Sequence, residues 1–305
     1  MFSPRNHLAM TGDDAPTVVV FGTGSHPVLG AIYEQLQVRA RRRVIFAPLE
    51  SFPSGIQFSL HQADGDCTGS LRIEGDSPVA FENIISVCLD GYAILAGGEG
   101  LSEEDQQYRQ TESWAALVAF FHNLSRHSLV ANHIVKRDHF HSRLSELSLL
   151  HSYGLPVARL LVTSDARQAR AFIEEVGSVL YRSVMGRDIP FRQLQPQDVA
   201  RLEEVGLAPV HFEEAPSGAV VGCTLVGSRL LISPRDADIP RDIQTKFREL
   251  CAELGLHLAE LRVHYTSQRG WTVVGLHPFL SQEGIQDPEV MTATLEMLET
   301  GLEAS

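Results

Sequence analysis

The sequence predicts an α/β protein whose chain opens with a strand, a helix and a second strand. Residues 17–21 are a β-branched apolar run, which is typical of a buried strand. An amphipathic stretch follows Pro27 and continues to about Arg39, and residues 44–47 form the next apolar run. This order favours a parallel sheet with a right-handed crossover, as in a Rossmann-like lobe. The length of 305 residues allows two or three lobes, each with its own core.

The next part of the chain predicts a hairpin, a strand and a long helix. Residues 58–73 form the hairpin, with turn residues at 64–66 between its arms. Residues 84–89 are apolar and predict another buried strand. Residues 103–124 predict a long helix whose apolar side includes Trp114.

The remaining elements alternate between helices and strands and suit two further α+β lobes. Gly154 before Pro156 ends the first of these helices, and Ser164 or Asp165 caps the second. The predicted elements are a helix at 138–152, a strand at 158–162, a helix to about 176, a strand at 178–184, a helix-sized segment at 196–205, a segment at 210–214, a hairpin at 219–225 and 229–232, a helix at 240–254, strands at 258–265 and 271–276, and a helix at 288–302.

Composition and charge argue against several classes of function. The formal net charge of −13 repels phosphate backbones, so no nucleic-acid partner is expected. The dense basic group at 39–43 ends the first predicted helix, where cations complement the helix dipole. No apolar run approaches the ~20 residues of a membrane span, so no membrane partner is expected. Residues 1–17 lack the apolar core of a secretory signal, and 1–15 are predicted to be a flexible tail.

The cysteines and histidines do not predict a metal centre. Cys67, Cys88, Cys223 and Cys251 are widely spaced and form no C-x-x-C pair. This pattern argues against a zinc knuckle or a redox dithiol and suits a reducing compartment, so a cytoplasmic location is expected. The closely spaced histidines lack the i, i+4 spacing of a metal cradle on one helical face, and we expect them to face solvent; they are His133, His139 and His141.

The glycines at 22, 24 and 30 lie between a strand and a helix, where a dinucleotide fingerprint would occur. The third glycine of G-x-G-x-x-G would fall on Pro27, so the fingerprint fails. A tight strand-to-helix turn is favoured, and an anion site at the helix N-terminus stays open.

An ordered set of segments extends over roughly residues 17 to 300. Asn132 precedes a helix that ends in Gly154-Leu-Pro156, and a strand ending in Thr163 follows. Later in the chain come the strand around Arg182, the segment Phe212-Glu-Glu-Ala215, the hairpin glycine Gly227 and the block Val274-Gly-Leu-His-Pro278. In content and order these segments resemble the ATP-grasp ligases, and among them the RimK-like, glutathione-synthetase-like carboxylate–amine ligases.

The resemblance implies three lobes after the tail, with a nucleotide-sized cleft between the last two. The first is a Rossmann-like N-terminal lobe at 16–130, the second a central lid lobe at 131–210, and the third a C-terminal lobe at 211–305.

The resemblance also implies a nucleotide-binding set for ATP or ADP. The family's two phosphate-binding lysines fall on Arg143 and Arg182. The hinge whose backbone holds adenine falls on Glu213, Glu214 and Ala215. Arginine keeps the positive charge of lysine but presents a wider, bidentate fork.

The metal-binding block departs from the family. The family's metal-binding aspartate falls on or next to Arg262, and its glutamate and asparagine fall on Gly275 and His277. Mg²⁺ prefers carboxylate oxygens, and two unit charges ~4 Å apart repel by about 4 kcal/mol at a dielectric of ~20. Mg²⁺ binding is therefore doubtful; Glu260, Glu283 and His277 are the alternative ligands, and no catalytic residue is assigned.

Two function hypotheses follow. The first is an altered site, including Arg262, that binds a nucleotide, an anionic metabolite or a peptide partner without ligating it. The alternative is an active ATP-dependent ligase that modifies a peptide through an acyl phosphate. A structural subunit of a partner ligase, a homodimer, and arginines that are merely salt-bridged within a retained fold all stay open.

Overall fold

The computed structural model describes residues 15–63, 66–89, 101–133, 142–184, 191–267 and 269–304. The strands in these ranges are β1 (Thr17–Gly22), β2 (Arg43–Pro48), β3 (Ile56–Ala63), β4 (Asp66–Ile73), β5 (Val79–Ala80), β6 (Ile84–Leu89), β7 (Leu129–Ala131), β8 (Leu160–Thr163), β9 (Val179–Ser183), β10 (Arg192–Gln193), β11 (Val210–Glu214), β12 (Val220–Val226), β13 (Arg229–Ser233), β14 (Leu258–Thr266) and β15 (Gly270–His277). The helices are α1 (Pro27–Arg39), α2 (Glu103–Leu124), α3 (Arg143–Ser152), α4 (Ala166–Val176), α5 (Pro196–Val199), α6 (Arg241–Leu254), α7 (Gln282–Ile285) and α8 (Pro288–Thr300).

The first sheet is the parallel sheet that the sequence predicts. Its strand order is β2-β1-β6-β7, and all neighbours are parallel. Alternate residues of β1 enter two different cores, as the period of a strand requires. Val19 and Phe21 pack with α2, whereas Val18 and Val20 pack with α1 and the C-terminal helix α8. Helices on both faces give the Rossmann-like arrangement.

A small antiparallel sheet extends the core under α2. It has the strand order β3-β4-β5 and contains the predicted hairpin. The ring centroids of Phe58 and Phe120 lie 4.9 Å apart, and Phe52 stacks on Phe58 at 5.7 Å. These rings fill the space between the hairpin and the long helix.

The central sheet has the antiparallel order β10-β9-β11-β8 and is covered by α4. Asp165 caps α4 by accepting a hydrogen bond from the Arg167 backbone N–H at 2.8 Å. The predicted lobe boundary at 210/211 falls at the start of β11, which pairs with both β8 and β9.

The C-terminal sheet has the antiparallel order β13-β12-β14-β15. One of its faces packs on α6 and α3 through a core that includes Phe247, Leu250 and Leu147. Helix α8 leaves this lobe and returns to the first sheet, where the Ser86 hydroxyl donates to the Leu298 carbonyl at 2.6 Å.

Asn132 joins the first sheet to the C-terminal sheet. Its backbone has a φ of 59°, in the left-handed region, which asparagine tolerates better than most residues. The side-chain oxygen accepts from the backbone N–H groups of His257 and Leu258, each at 2.9 Å, and the side-chain nitrogen donates to the Pro278 carbonyl. This fully buried residue fixes the chain where it enters the next lobe.

The structure departs from the predicted elements at a few places. Helix α3 is described from Arg143, and the predicted helix at 196–205 is one turn of α5 followed by a 3₁₀ segment at Leu202–Leu207. The two-residue strands β5 and β10 and the short helix α7 are too short to produce a periodic pattern. Predictions for 1–14, for His139 and His141, and for the lid loop at 186–190 lie outside the described residues. In the described ranges no helix combines the length and the apolarity of a membrane span.

Candidate functional site

The C-terminal sheet has a second face, opposite its helices, on which the predicted site residues stand in rows. Alternation along β12 and β14 sends Cys223 and Leu261 into the helix-covered core, so their neighbours point the other way. The strand pairing aligns three rows on this second face: Val220, His264 and Thr272; Gly222, Arg262 and Gly275; and Thr224, Glu260 and His277.

A buried ionic cluster lies at the edge of this face and joins α3 to the central sheet. We call it the Arg143 cluster, and it consists of Arg143, Glu146, His211 and Glu213. The guanidinium of Arg143 donates from Nε to Glu213 Oε2 at 3.0 Å and from Nη2 to Glu213 Oε1 at 2.6 Å. It also donates from Nη1 to Glu146 Oε1 at 2.6 Å and from Nη2 to the Val274 carbonyl.

The charged groups of this cluster interact strongly because they are buried together. Arg143 is 6% exposed and Glu213 is 4% exposed. Burial lowers the pKa of Arg143, but the charges and hydrogen bonds of Glu146 and Glu213 outweigh it, so the net pKa is raised. Burial raises the pKa of Glu213, but hydrogen bonds from His211 and Arg143 outweigh it and hold the pKa below its usual value. Both partners are therefore charged at neutral pH.

Gly275 gives the guanidinium its space. An ideal Cβ built on Gly275 would lie 3.1 Å from Arg143 Nη1 and 3.6 Å from Glu146 Oε1. The first distance is tighter than almost all real Cβ contacts, and Arg143 is held there by hydrogen bonds on every side described above. A side chain at 275 would therefore require the guanidinium to move by a few tenths of an ångström.

The hinge predicted to hold adenine has internal partners. The Ala215 N–H donates to the Ser178 carbonyl at 2.9 Å, and the Glu214 N–H donates to the Arg159 carbonyl at 2.9 Å. The next residue, Pro216, has no N–H. The hinge donors that a base would use are thus already bound within the protein or missing.

Glu214 is the centre of a second, more open ionic group. Arg159 donates to Glu214 from Nε at 3.0 Å, and Arg269 also contacts its carboxylate. Burial raises the pKa of Glu214, but the hydrogen bond from Arg159 and the charge of Arg269 outweigh it, and the pKa is lowered. Nearby, burial lowers the pKa of His264, whose Nδ1 has no partner among the described residues.

The other predicted residues are more dispersed. Arg182 lies over the ring of Phe191, with Cζ 4.2 Å from the ring centroid. The side chain of Arg262 is 47% exposed, and its Nη2 lies 3.7 Å from Glu283 Oε2. Glu260 is buried and accepts from the Ser281 hydroxyl at 2.5 Å and from the Ser281 N–H at 3.2 Å.

The structure therefore brings together some predicted residues and separates others. Arg143 and Glu213 are in direct contact, although both were predicted to face a nucleotide. The sequence reasoning missed the side chains that hold the charged groups in place, which are Glu146, His211, Arg159, Arg269 and His264. Glu146 stands three residues after Arg143 on α3, and that i, i+3 spacing was the one available signal.

The Mg²⁺ ion implied by the ATP-grasp resemblance does not fit the matched positions. Gly275 offers no ligand and its side-chain space is taken by a cation, while Arg262 presents a second cation opposite Gly275. Glu260 and His277 are directly cross-strand, but one Glu260 oxygen is bonded to Ser281. Within the described ranges no three His, Cys, Asp or Glu side chains form a group that could hold a metal ion.

A cavity of about 550 Å³ lies elsewhere, between α2, β7 and the turn before β14. Its lining includes His122, His133, His257 and Leu302, and none of the predicted site residues. The candidate site is thus marked by its charge network and not by this cavity.

Comparison with solved structures gives extensive similarity at low sequence identity. The macrocyclase MdnC bound with precursor peptide MdnA, from Microcystis aeruginosa, matches with a TM-score of 0.72 and 15% identity, over 92% of this chain and 99% of that chain. A RiPP-associated ATP-grasp ligase of Chryseobacterium gregarium, in complex with ADP and a leader and core peptide, matches with a TM-score of 0.71 and 13% identity, over 92% and 96%.

A third match is the ATP-grasp ligase PsnB, complexed with a phosphomimetic variant of its minimal precursor, Mg and ADP. The TM-score is 0.70 and the identity 19%, over 94% of this chain and 99% of that chain. No protein-family model and no curated protein matches the sequence.

Proposed function

Because the chain has the ATP-grasp fold, we propose that it acts in peptide modification, as an ATP-dependent carboxylate–amine ligase that takes a peptide substrate. The observation that carries this proposal is the match over 92–94% of the chain to a macrocyclase and two ATP-grasp ligases. All three were solved with bound peptides, and the two ligases also with ADP. The alternative hypothesis from the sequence thus has more support than the non-ligating one. The neighbour solved with Mg and ADP also gives no support to the expectation that Mg²⁺ is doubtful.

The reaction would join a carboxylate and an amine at the expense of ATP. The carboxylate takes the terminal phosphoryl group to give an acyl phosphate and ADP, and the amine then displaces phosphate to form the amide. In this chain Arg182 is the cation on the central sheet at a phosphate-binding position of the resemblance, and its stacking on Phe191 orients the guanidinium. The Arg143 cluster serves to hold the two sheets together.

A specific observation favours a second candidate, which is peptide binding without ligation. Arg143, Glu213 and the Ala215 N–H are three of the predicted nucleotide contacts, and each has a partner within the protein. A chain with these contacts internally satisfied could still use its lobes to hold a peptide.

The test uses ATP with Mg²⁺ and a pool of synthetic peptides that carry Asp, Glu and Lys side chains. ADP is measured by a coupled assay, and each product is examined by mass spectrometry for the loss of one water per ADP. Matched formation of ADP and dehydrated peptide is expected for the ligase. Retention of a peptide on the protein without ADP formation or dehydration supports the second candidate and overturns the ligase. If the protein neither dehydrates nor retains a peptide, both candidates are overturned.

Two variants of the same sheet provide the control. Arg182→Gln should abolish ADP formation, since the cation at the phosphate position is lost. Arg192→Gln alters an exposed arginine on the edge strand β10 and should leave it unchanged. Equal activity of the two variants would remove Arg182 from the site.

A further inference from the structure

The Arg143 guanidinium is held by an all-oxygen set that resembles the surroundings of a bound cation. Its donors contact both oxygens of Glu213, one oxygen of Glu146 and the Val274 carbonyl. Carboxylate and carbonyl oxygens are also the ligands that Mg²⁺ and Ca²⁺ prefer. The cation in this set is covalently part of α3.

The position of this cation is matched to a gap in the sheet. Gly275 stands where the resemblance places a metal-ligating glutamate, and its missing side chain is the space beside Arg143 Nη1, 3.1 Å away. Its neighbour Leu276 donates its N–H to Glu146 Oε1 at 2.7 Å, so β15 holds the acidic partner as well. The glycine, the arginine and the two glutamates form one complementary arrangement.

The opposite charges of Arg143 and the two glutamates stabilise one another within the protein. Two buried carboxylates would repel each other and lose hydration if they were left alone. Arg143 offsets one of the two negative charges and donates hydrogen bonds to both carboxylates, through a planar fork that a point charge could not reproduce. A divalent ion entering beside Gly275 would meet the guanidinium at close range, and Arg262 on the next strand adds further positive charge.

We propose that the Arg143 guanidinium is the permanent cation of this oxygen set and that it occupies the space beside Gly275, where the resemblance places a metal ligand, so that no divalent metal ion binds there. The proposal rests on the proposed function only in taking this face of the C-terminal sheet as the ligand site. It accounts for Arg143, Gly275, Glu146 and Glu213 together, as one exchange of an external cation for an internal one.

The first test is a titration of the full-length wild-type chain with Mn²⁺, followed by electron paramagnetic resonance, alone and with ATP. We expect that the protein itself binds no Mn²⁺ and that any bound Mn²⁺ is held by free ATP. We also expect the same Tm in EDTA and in Mg²⁺. One protein-bound Mn²⁺ per chain that is lost in Glu260→Gln would overturn the inference.

The second test replaces the internal cation. Arg143→Ala leaves Glu146 and Glu213 facing an empty guanidinium-sized space, and we expect a Tm several degrees lower that millimolar methylguanidinium restores in part. Mn²⁺ is the second probe and should raise the Tm of this variant while leaving wild type unchanged. The matched control is Arg159→Ala, which removes an arginine from the more open Glu214 and should respond to neither cation.

Each outcome decides the matter. A folded Arg143→Ala variant that responds to no added cation would show that these oxygens are not a cation site. If the variant does not fold, Arg143→Lys keeps a charge at this place, and it should remain indifferent to Mn²⁺; a gain of Mn²⁺ binding there would also count against the proposal. If the wild-type chain binds neither peptide nor nucleotide, the proposed function is refuted, and the cation results stand unaffected.

Discussion

Gly275→Ala is the most direct test of the contact between β15 and Arg143. The new Cβ would lie 3.1 Å from Arg143 Nη1, and the guanidinium cannot retreat without lengthening its bonds to Glu213 and Glu146. Forcing extra atoms into a well-packed site costs about 1–3 kcal/mol. Removing a strand glycine returns about 0.5–1 kcal/mol. We therefore expect a net loss of about 1 kcal/mol in the free energy of unfolding.

Gly222 provides a matched control two strands away. It stands in the same row of the sheet, but its ideal Cβ meets only the Ser233 carbonyl at 3.7 Å, an ordinary contact. Gly222→Ala should therefore stabilise the protein by about 0.5–1 kcal/mol. The gap between the variants, about 2 kcal/mol, corresponds to a Tm difference of a few degrees by scanning fluorimetry.

A double variant identifies the cause of the cost. In an Arg143→Lys background the ammonium group is narrower than the guanidinium, so the additional cost of Gly275→Ala should shrink. Equal Tm values for Gly275→Ala and Gly222→Ala, or an unchanged cost in the lysine background, would refute the reasoning.

Three further predictions concern other parts of the molecule. The pKa of Glu213 is lowered in the folded state, so its contribution to stability is present above the unfolded value of about 4.3 and is lost as the pH falls through the folded value. Glu213→Gln should therefore reduce the fall of Tm at acidic pH, and an unchanged fall would contradict this. Burial raises the pKa of Cys223 to about 12 and also raises that of Cys251, so in native protein a maleimide should label Cys67 first; rapid labelling of Cys223 would refute this. Asn132→Ala removes two accepted hydrogen bonds and strains a left-handed backbone, and should lower the free energy of unfolding by about 2–4 kcal/mol in chemical denaturation; a loss under 1 kcal/mol would count against this role.

Most of the fold can be predicted from the sequence because its elements have strong local signals. The β-branched run of β1 and the apolar stripe of α2 were located to within a residue or two, and the order of segments led to the ATP-grasp resemblance. The segment at 196–205 was harder, since tertiary contacts, and not helical periodicity, divide it into α5 and a 3₁₀ turn.

The site was less predictable because its chemistry depends on distant partners. Arg143 and Glu213 are 70 residues apart, and nothing in their separate surroundings indicates that they bond to each other. At Gly275 the sequence shows only that a ligand side chain is missing. That Arg143 lies in the space beside it follows from the fold. Residue type predicted which positions differ from the resembled family, and the fold shows that two of them, Arg143 and Gly275, lie against each other.

The return of α8 to the first sheet has a consequence for synthesis on the ribosome. Val18 and Val20 belong to the first strand, yet their core is completed by Leu295 and Leu298 at the far end of the chain. The N-terminal lobe emerges first, with α1 on this face, but part of the face stays uncovered until residues 288–300 have left the exit tunnel. A nascent chain halted before residue 288 should therefore expose that face to chaperones, and the last helix sets the moment at which the first lobe is finished.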